Sequence, residues 1–206
     1  VHFRNRSEAG RLLADALKAY AGKEGVIYPL PRGGVPLGVE IARALNMDLD
    51  LIIPRKVGHP YNPEYAIAAV GETGEPVINR TEVDRVDPKW FKQEVARQRD
   101  ESRRRRDAYL HGREPLPVEG KVAILVDDGI ATGLTMKAAI QDARARKPAK
   151  LIVAIPVVPA ETARVLRTMV DDLVALDIDE NYLGAVGAYY DDFGQTSDAE
   201  VIALLS

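Results

Sequence analysis

An α/β fold with a doubly wound, mostly parallel central sheet is predicted for this 206-residue chain by three observations. Short apolar runs rich in β-branched residues alternate with amphipathic helical patterns, the order expected when helices cover both faces of a parallel sheet. The runs Val122–Val126 and Leu151–Val158 are apolar without alternation, as strands buried on both faces are. Glycine-containing turns join strand to helix after Leu30 and after Asp128, where open α/β sheets place their ligands.

Taken in order, Ser7 can cap a first helix running to about Tyr20, with Leu12, Leu13, Ala16 and Leu17 on one face. Val26–Leu30 reads as a strand, Val35–Leu45 as an amphipathic helix and Leu49–Ile53 as a second strand. Val57 to Tyr65 has a glycine, two prolines and little periodicity, so it reads as a loop before a strand at Ala66–Val70. A long polar helix is expected over Lys89–Tyr109, a strand at Val122–Val126 and a helix at Thr135–Arg146. The pattern continues with a strand at Leu151–Val158, a helix at Ala160–Val170, a strand at Leu173–Leu176 and a last helix at Asp198–Leu205. The expectation is one domain over 1–206, with a small hood from 1–20 and 177–206 and a helical insertion at about 80–120.

Composition narrows the function classes. The chain has no cysteine, which excludes disulfides, thiolate zinc sites and cysteine nucleophiles. A net charge of -3 gives no case for non-specific nucleic-acid binding. No apolar run reaches membrane-spanning length and the first residues lack a signal-peptide pattern, so the expected location is the cytoplasm, without a membrane partner. A nucleotide-binding G-x-x-x-x-G-K-[ST] loop and a G-x-S-x-G nucleophile elbow are both missing. Arg103-Arg104-Arg105-Arg106 follows Asp100 and Glu101 at spacings suited to helical ion pairs (Asp100 with Arg104, Glu101 with Arg105), which favours a solvated, self-paired face. Trp90 and Phe91 read as packing anchors.

The most informative segment is Val126-Asp127-Asp128-Gly129-Ile130-Ala131-Thr132-Gly133-Leu134-Thr135. Two adjacent carboxylates stand at the end of an apolar strand, and a Thr/Gly loop then opens into a helix. Free N–H groups at a helix start, with the Thr132 and Thr135 hydroxyls, suit a phosphate. Acids followed by a phosphate cup suit a ligand with both hydroxyls and a phosphate, such as a ribose 5-phosphate.

This segment resembles the motif by which class I phosphoribosyltransferases bind 5-phosphoribosyl 1-pyrophosphate (PRPP). The resemblance implies that Asp127 and Asp128 contact the ribose hydroxyls as the catalytic pair, and that Ala131, Thr132, Gly133, Leu134 and Thr135 wrap the 5-phosphate. By the same resemblance Arg32, Gly33 and Gly34, after the first strand, belong to the pyrophosphate loop, and Arg55 and Lys56 add to it. The segment after Lys56 is similar to the family's mobile active-site loop. Tyr190 or Phe193, in the C-terminal hood, would stack on the base. The resemblance also implies Mg2+ held mainly by PRPP, with Asp127 and Asp128 as indirect ligands, a nitrogenous acceptor as co-substrate, and a homodimer. Family members that use 6-oxopurines carry an acid at the position of Ala131, so the acceptor is open. A non-catalytic sensor of PRPP or nucleotide, on the same fold, is the alternative function.

Overall fold

The computed structural model describes residues 1–206. The chain runs α1 (Arg6–Ala16), β1 (Gly25–Pro29), α2 (Val35–Leu45), β2 (Asp48–Leu49), β3 (Arg55–His59), β4 (Asn62–Val70), β5 (Val77–Ile78) and α3 (Arg80–Val83). It continues through α4 (Pro88–Leu110), β6 (Val122–Val126), α5 (Leu134–Ala145), β7 (Lys150–Pro159), α6 (Ala160–Arg167), β8 (Asp172–Asp179) and α7 (Asp198–Leu205). Five strands pair in the order β2-β1-β6-β7-β8, all parallel. The predicted doubly wound sheet is therefore present.

Strand side chains alternate between two cores because successive Cβ atoms point to opposite sheet faces. Ile27, Ile124 and Ile152 pack under α1 and α2 with Leu13, Leu17, Leu37 and Ile41. Tyr28, Leu125 and Val153 pack on the other face with Met136, Ile140 and Leu166 of α5 and α6. Both faces are covered, which is why these strands read as unbroken apolar runs. Each fully buried leucine or isoleucine contributes about 1.5–3 kcal/mol of transfer free energy.

Several elements differ from their sequence reading. Helix α1 is capped by Asn5, whose side chain accepts from Glu8 N at 2.9 Å, rather than by Ser7. It ends at Ala16, and its buried face is Ala9, Gly10, Leu13 and Ala14; Leu12 and Ala16 are exposed. The expected strand Leu49–Ile53 pairs only at Asp48–Leu49. Beyond it the buried Asp50 carboxylate accepts from Leu51 N, Leu116 N and Arg106, so the chain is held by a side chain instead of a ladder. Residues 57 to 65 are not an irregular loop: β3 and β4 form an antiparallel hairpin, with β5 beside β4, in a separate three-stranded sheet. The turn and prolines at its tip hid the pairing, because β4 is exposed up to Tyr65 and shows no apolar alternation there.

Helix α4 carries the arginine run, and its pairing is mixed. Arg104 and Arg105 share Glu101, while Arg103 pairs with Asp100 and Glu72. Arg106 faces inward, where its Nη2 lies 2.7 Å from Asp50 Oδ1 and both side chains are at most 4% exposed. The run is therefore not one solvated face. Trp90 and Phe91 pack against the cluster of Val57, Ile67, Ala68 and Val86. The two ends of the chain meet through Phe3 N to Tyr189 O and Asp191 N to Phe3 O, each 2.8 Å. No helix is long and apolar enough to cross a membrane.

Candidate active site

The carboxyl end of β6, the central strand, delivers Asp127 and Asp128 to one end of the sheet, beside the turn that follows β1. The peptide bond between Pro31 and Arg32 in that turn is cis. Gly33 presses directly on the acid pair: a Cβ there would lie 2.2 Å from Asp128 Oδ2. A side chain there would push the turn or Asp128 aside, so glycine lets the turn and the acids share one site. Asp128 N donates to Asp127 Oδ1 at 2.8 Å, which fixes the orientation of the first carboxylate.

After the acids the chain turns into α5 through Gly133, whose φ of +86° lies in the left-handed region open to glycine. Gly133 caps α5 with backbone alone; no side chain occupies the first-turn N–H groups. Ala131 and Thr132 are exposed, and Thr162 Oγ1 of α6 ties the loop down by donating to Ala131 O at 3.0 Å. A helix start with uncapped donors, directly after a fixed loop, can take an anion.

The two ends of the chain close the other side. Arg6, in the first turn of α1, donates from Nε to Asp128 Oδ2 at 3.0 Å and from Nη1 to Gly194 O at 2.6 Å. Its guanidinium also lies 4.0 Å from the ring centroid of Phe193. Tyr190 donates its hydroxyl to Asp128 O at 2.6 Å. Burial raises the pKa of Asp127 well above the ordinary carboxylate value, and the neighbouring Asp128 charge adds to the rise. Burial raises Asp128 too, but Arg6 opposes it. The Tyr190 phenol is raised by burial and by the Asp128 charge.

The candidate residues are not all brought together. Asp127, Asp128, Gly33, Gly34 and the 131–135 loop share one end of the sheet. Arg32 turns away, with Nη1 3.6 Å from Asp198 Oδ1. Arg55 opens β3 and donates from Nε to Gln98 on α4, and Lys56 is exposed. Tyr190 is 5% exposed, with its ring packed between Phe3 and Phe193 at centroid distances of 5.3 and 4.9 Å. It therefore forms a wall rather than an open stacking face, which corrects the sequence reading for that residue. Phe193 keeps part of its surface open but carries Arg6 over its ring.

A phosphoribosyl transferase domain model matches residues 5–192. The chain belongs to the phosphoribosyl transferase domain family. A Mycobacterium tuberculosis protein named "Putative phosphoribosyl transferase" is 40% identical over 205 residues, which cover 98% of this chain and 46% of that protein. The chain thus spans less than half the length of that relative. The crystal structure of TT1426 from Thermus thermophilus matches with a TM-score of 0.84 and 42% identity, over 100% of this chain and 98% of that one. A hypoxanthine-guanine phosphoribosyltransferase from Bacillus anthracis shares the fold, with a TM-score of 0.50 and 15% identity over 88% of this chain and 83% of that one.

Within this phosphoribosyl transferase fold, the residue that sequence reading missed is Arg6. It sits 122 positions from its carboxylate partner, and nothing in its local pattern separates it from the other basic residues. The chain holds no cluster of three or more acidic or histidine side chains able to bind a metal alone. The acid pair offers two carboxylates, one of them already engaged by Arg6. That donor set fits a Mg2+ whose remaining ligands are water and substrate oxygens.

Proposed function

We propose that the protein moves the 5-phosphoribosyl group from PRPP to a nitrogenous acceptor with release of pyrophosphate. The observation that carries this reading is the approach of Gly33 to Asp128, which places an acid pair and a glycine turn beside an uncapped helix start. In this reading Asp127 and Asp128 accept from the ribose hydroxyls. Their negative charge lies near the anomeric carbon, where positive charge develops as the bond to pyrophosphate breaks. The N–H groups of residues 131 to 135 and the Thr132 and Thr135 hydroxyls hold the 5-phosphate. Gly33 and Gly34 face the departing pyrophosphate in this reading, and Arg32, Arg55 and Lys56, which point to Asp198, to Gln98 and to solvent here, would swing round to it when PRPP binds.

Mg2+ bound with PRPP would neutralise part of the diphosphate charge, and Asp127 and Asp128 are the residues that would help to hold it. The acceptor nitrogen forms the new bond to the anomeric carbon as pyrophosphate leaves with the old bonding pair. A proton on that nitrogen is lost afterwards. Ala131 carries no titratable group, so the loop itself offers no base for that proton. The ends of the chain, 1–20 and 177–206, form the acceptor-side hood in this reading, with Phe193 as the aromatic contact. The reading includes a homodimer, an expectation carried by family resemblance and checked by sedimentation velocity.

A pyrophosphate-release assay over a panel of nitrogenous bases, with PRPP and Mg2+, tests the reaction. Release that depends on one acceptor supports the transfer. PRPP binding without release over the whole panel would favour a sensor of the same fold.

A further inference from the structure

The two chain ends are fastened to the acid pair at a single residue. Asp128 accepts from Arg6 Nε on its carboxylate at 3.0 Å and from the Tyr190 hydroxyl on its carbonyl at 2.6 Å. Arg6 also donates from Nη1 to Gly194 O at 2.6 Å, so one guanidinium bridges the acid and the C-terminal segment. The ends are joined to each other as well, with Asp191 N donating to Phe3 O at 2.8 Å and Asp192 N to Arg4 O at 2.9 Å. They form one flap, and Arg6 is its charged tie to β6. The same guanidinium lies 4.0 Å from the centroid of the Phe193 ring. Tyr190 packs on that ring at 4.9 Å, and a Cβ on Gly187 would lie 2.9 Å from its Cδ2. With those sides crowded, Arg6 covers the face of Phe193 that a planar acceptor would need.

We propose that Arg6 is a latch, a positioning residue that holds this flap over Phe193 until hydroxyl donors of a sugar phosphate compete for the Asp128 carboxylate. The latch rests on the proposed reading of Asp128 as a ribose contact. The hydroxyls would take up the accepting capacity of Asp128 that Arg6 now uses. Mg2+ bound with PRPP would supply positive charge near that carboxylate. Arg6 would then keep only the neutral Gly194 O, a weaker hold than a carboxylate. The pair is 13% and 14% exposed, and a buried carboxylate without a partner is disfavoured, so the latch stays closed unless other groups take the place of Arg6. Its release uncovers Phe193. Occupation of the sugar side is thereby passed to the acceptor side through one arginine.

Hydrogen exchange of the full chain, read by mass spectrometry on peptides spanning 189–196, tests the latch. In buffer alone, Arg6→Gln should speed exchange there by about tenfold, for one lost hydrogen bond to a charged group. Peptides from β6 and β7 should keep parental protection. The double variant Arg6→Gln with Asp128→Asn strands neither charge, so it should show the same local loosening even where the single variant fails to fold. PRPP with Mg2+ should raise exchange at 189–196 in the parent and leave it unchanged in Arg6→Gln, a response that a merely structural bond would not give. Parental exchange at 189–196 in the variants would overturn the proposal. So would a parent that binds PRPP, measured by calorimetry on the same sample, with exchange there unchanged or slowed. Failure of PRPP to bind the parent would refute the transfer reading and with it the opening step, while the comparison in buffer would still show whether Arg6 fastens the flap.

Discussion

Arg6 Nε and Asp128 Oδ2 lie 3.0 Å apart and join the first helix to the end of β6. The two side chains are 13% and 14% exposed, so the pair is largely withdrawn from water. Asp128 stands next to Asp127, whose own charge is disfavoured by burial. Arg6 is the one cation in direct contact with this pair, and it also draws Gly194 and Phe193 onto the site.

Removing that cation should be costly. Arg6→Ala is expected to destabilise the protein by about 2–4 kcal/mol at pH 7, because it strands a buried carboxylate beside another. The penalty should shrink on acidification, since Asp128 takes up a proton more readily once Arg6 is gone. Urea denaturation at pH 7 and at pH 4 checks both parts; an equal midpoint for variant and parent at pH 7 would contradict the assignment.

Asp127 should behave in the opposite way. Its folded-state pKa is raised above the ordinary 3.8, so the native state binds the proton more tightly than the unfolded chain. Its contribution to stability is complete below the unfolded value and is lost as pH rises through the raised folded value. Asp127→Asn keeps an oxygen for Asp128 N and removes the charge. At pH 7 it should raise stability, and the gain should disappear as the pH falls into the ordinary carboxylate range. A variant less stable than the parent at pH 7 would show that the charge is better compensated than the geometry indicates.

Gly33→Ala tests the closeness of the turn after β1 to the acids. The added methyl would sit 2.2 Å from Asp128 Oδ2 and 2.9 Å from its Cγ, so the turn or the acid must shift. A stability loss of about 1–3 kcal/mol is expected, together with loss of transfer activity. Parental activity in Gly33→Ala would mean that the turn is not held against Asp128.

The arginine run should divide by depth. Arg106→Ala leaves Asp50 buried without its cation and is expected to cost about 3–5 kcal/mol. Arg104→Ala, at a side chain 67% exposed, should cost less than about 1 kcal/mol. Thermal melts of the two variants, read side by side, check this; equal losses would contradict it.

The sheet was legible in the sequence because residues such as Ile124 and Leu125 serve opposite cores, which leaves an apolar run with no polar break. The acid pair and the loop after it were legible because one continuous segment carries them, from Val126 to Thr135. The hairpin of β3 and β4 was not, since its outer half is exposed and carries no apolar alternation, while its inner half is buried against α4. Arg6 and the inward turn of Arg106 were equally hidden. Both depend on partners far along the chain, and a polar helix pattern looks the same whether an arginine points to water or to a buried aspartate.

Titration of the protein with PRPP and Mg2+ in a calorimeter, alongside the Asp127→Asn with Asp128→Asn variant, tests the central claim most directly. Saturable one-site binding by the parent is expected, with affinity reduced about tenfold or more in the variant through the loss of hydrogen bonds to charged groups. Equal affinity in the two proteins would place the ligand away from the acid pair and contradict the account.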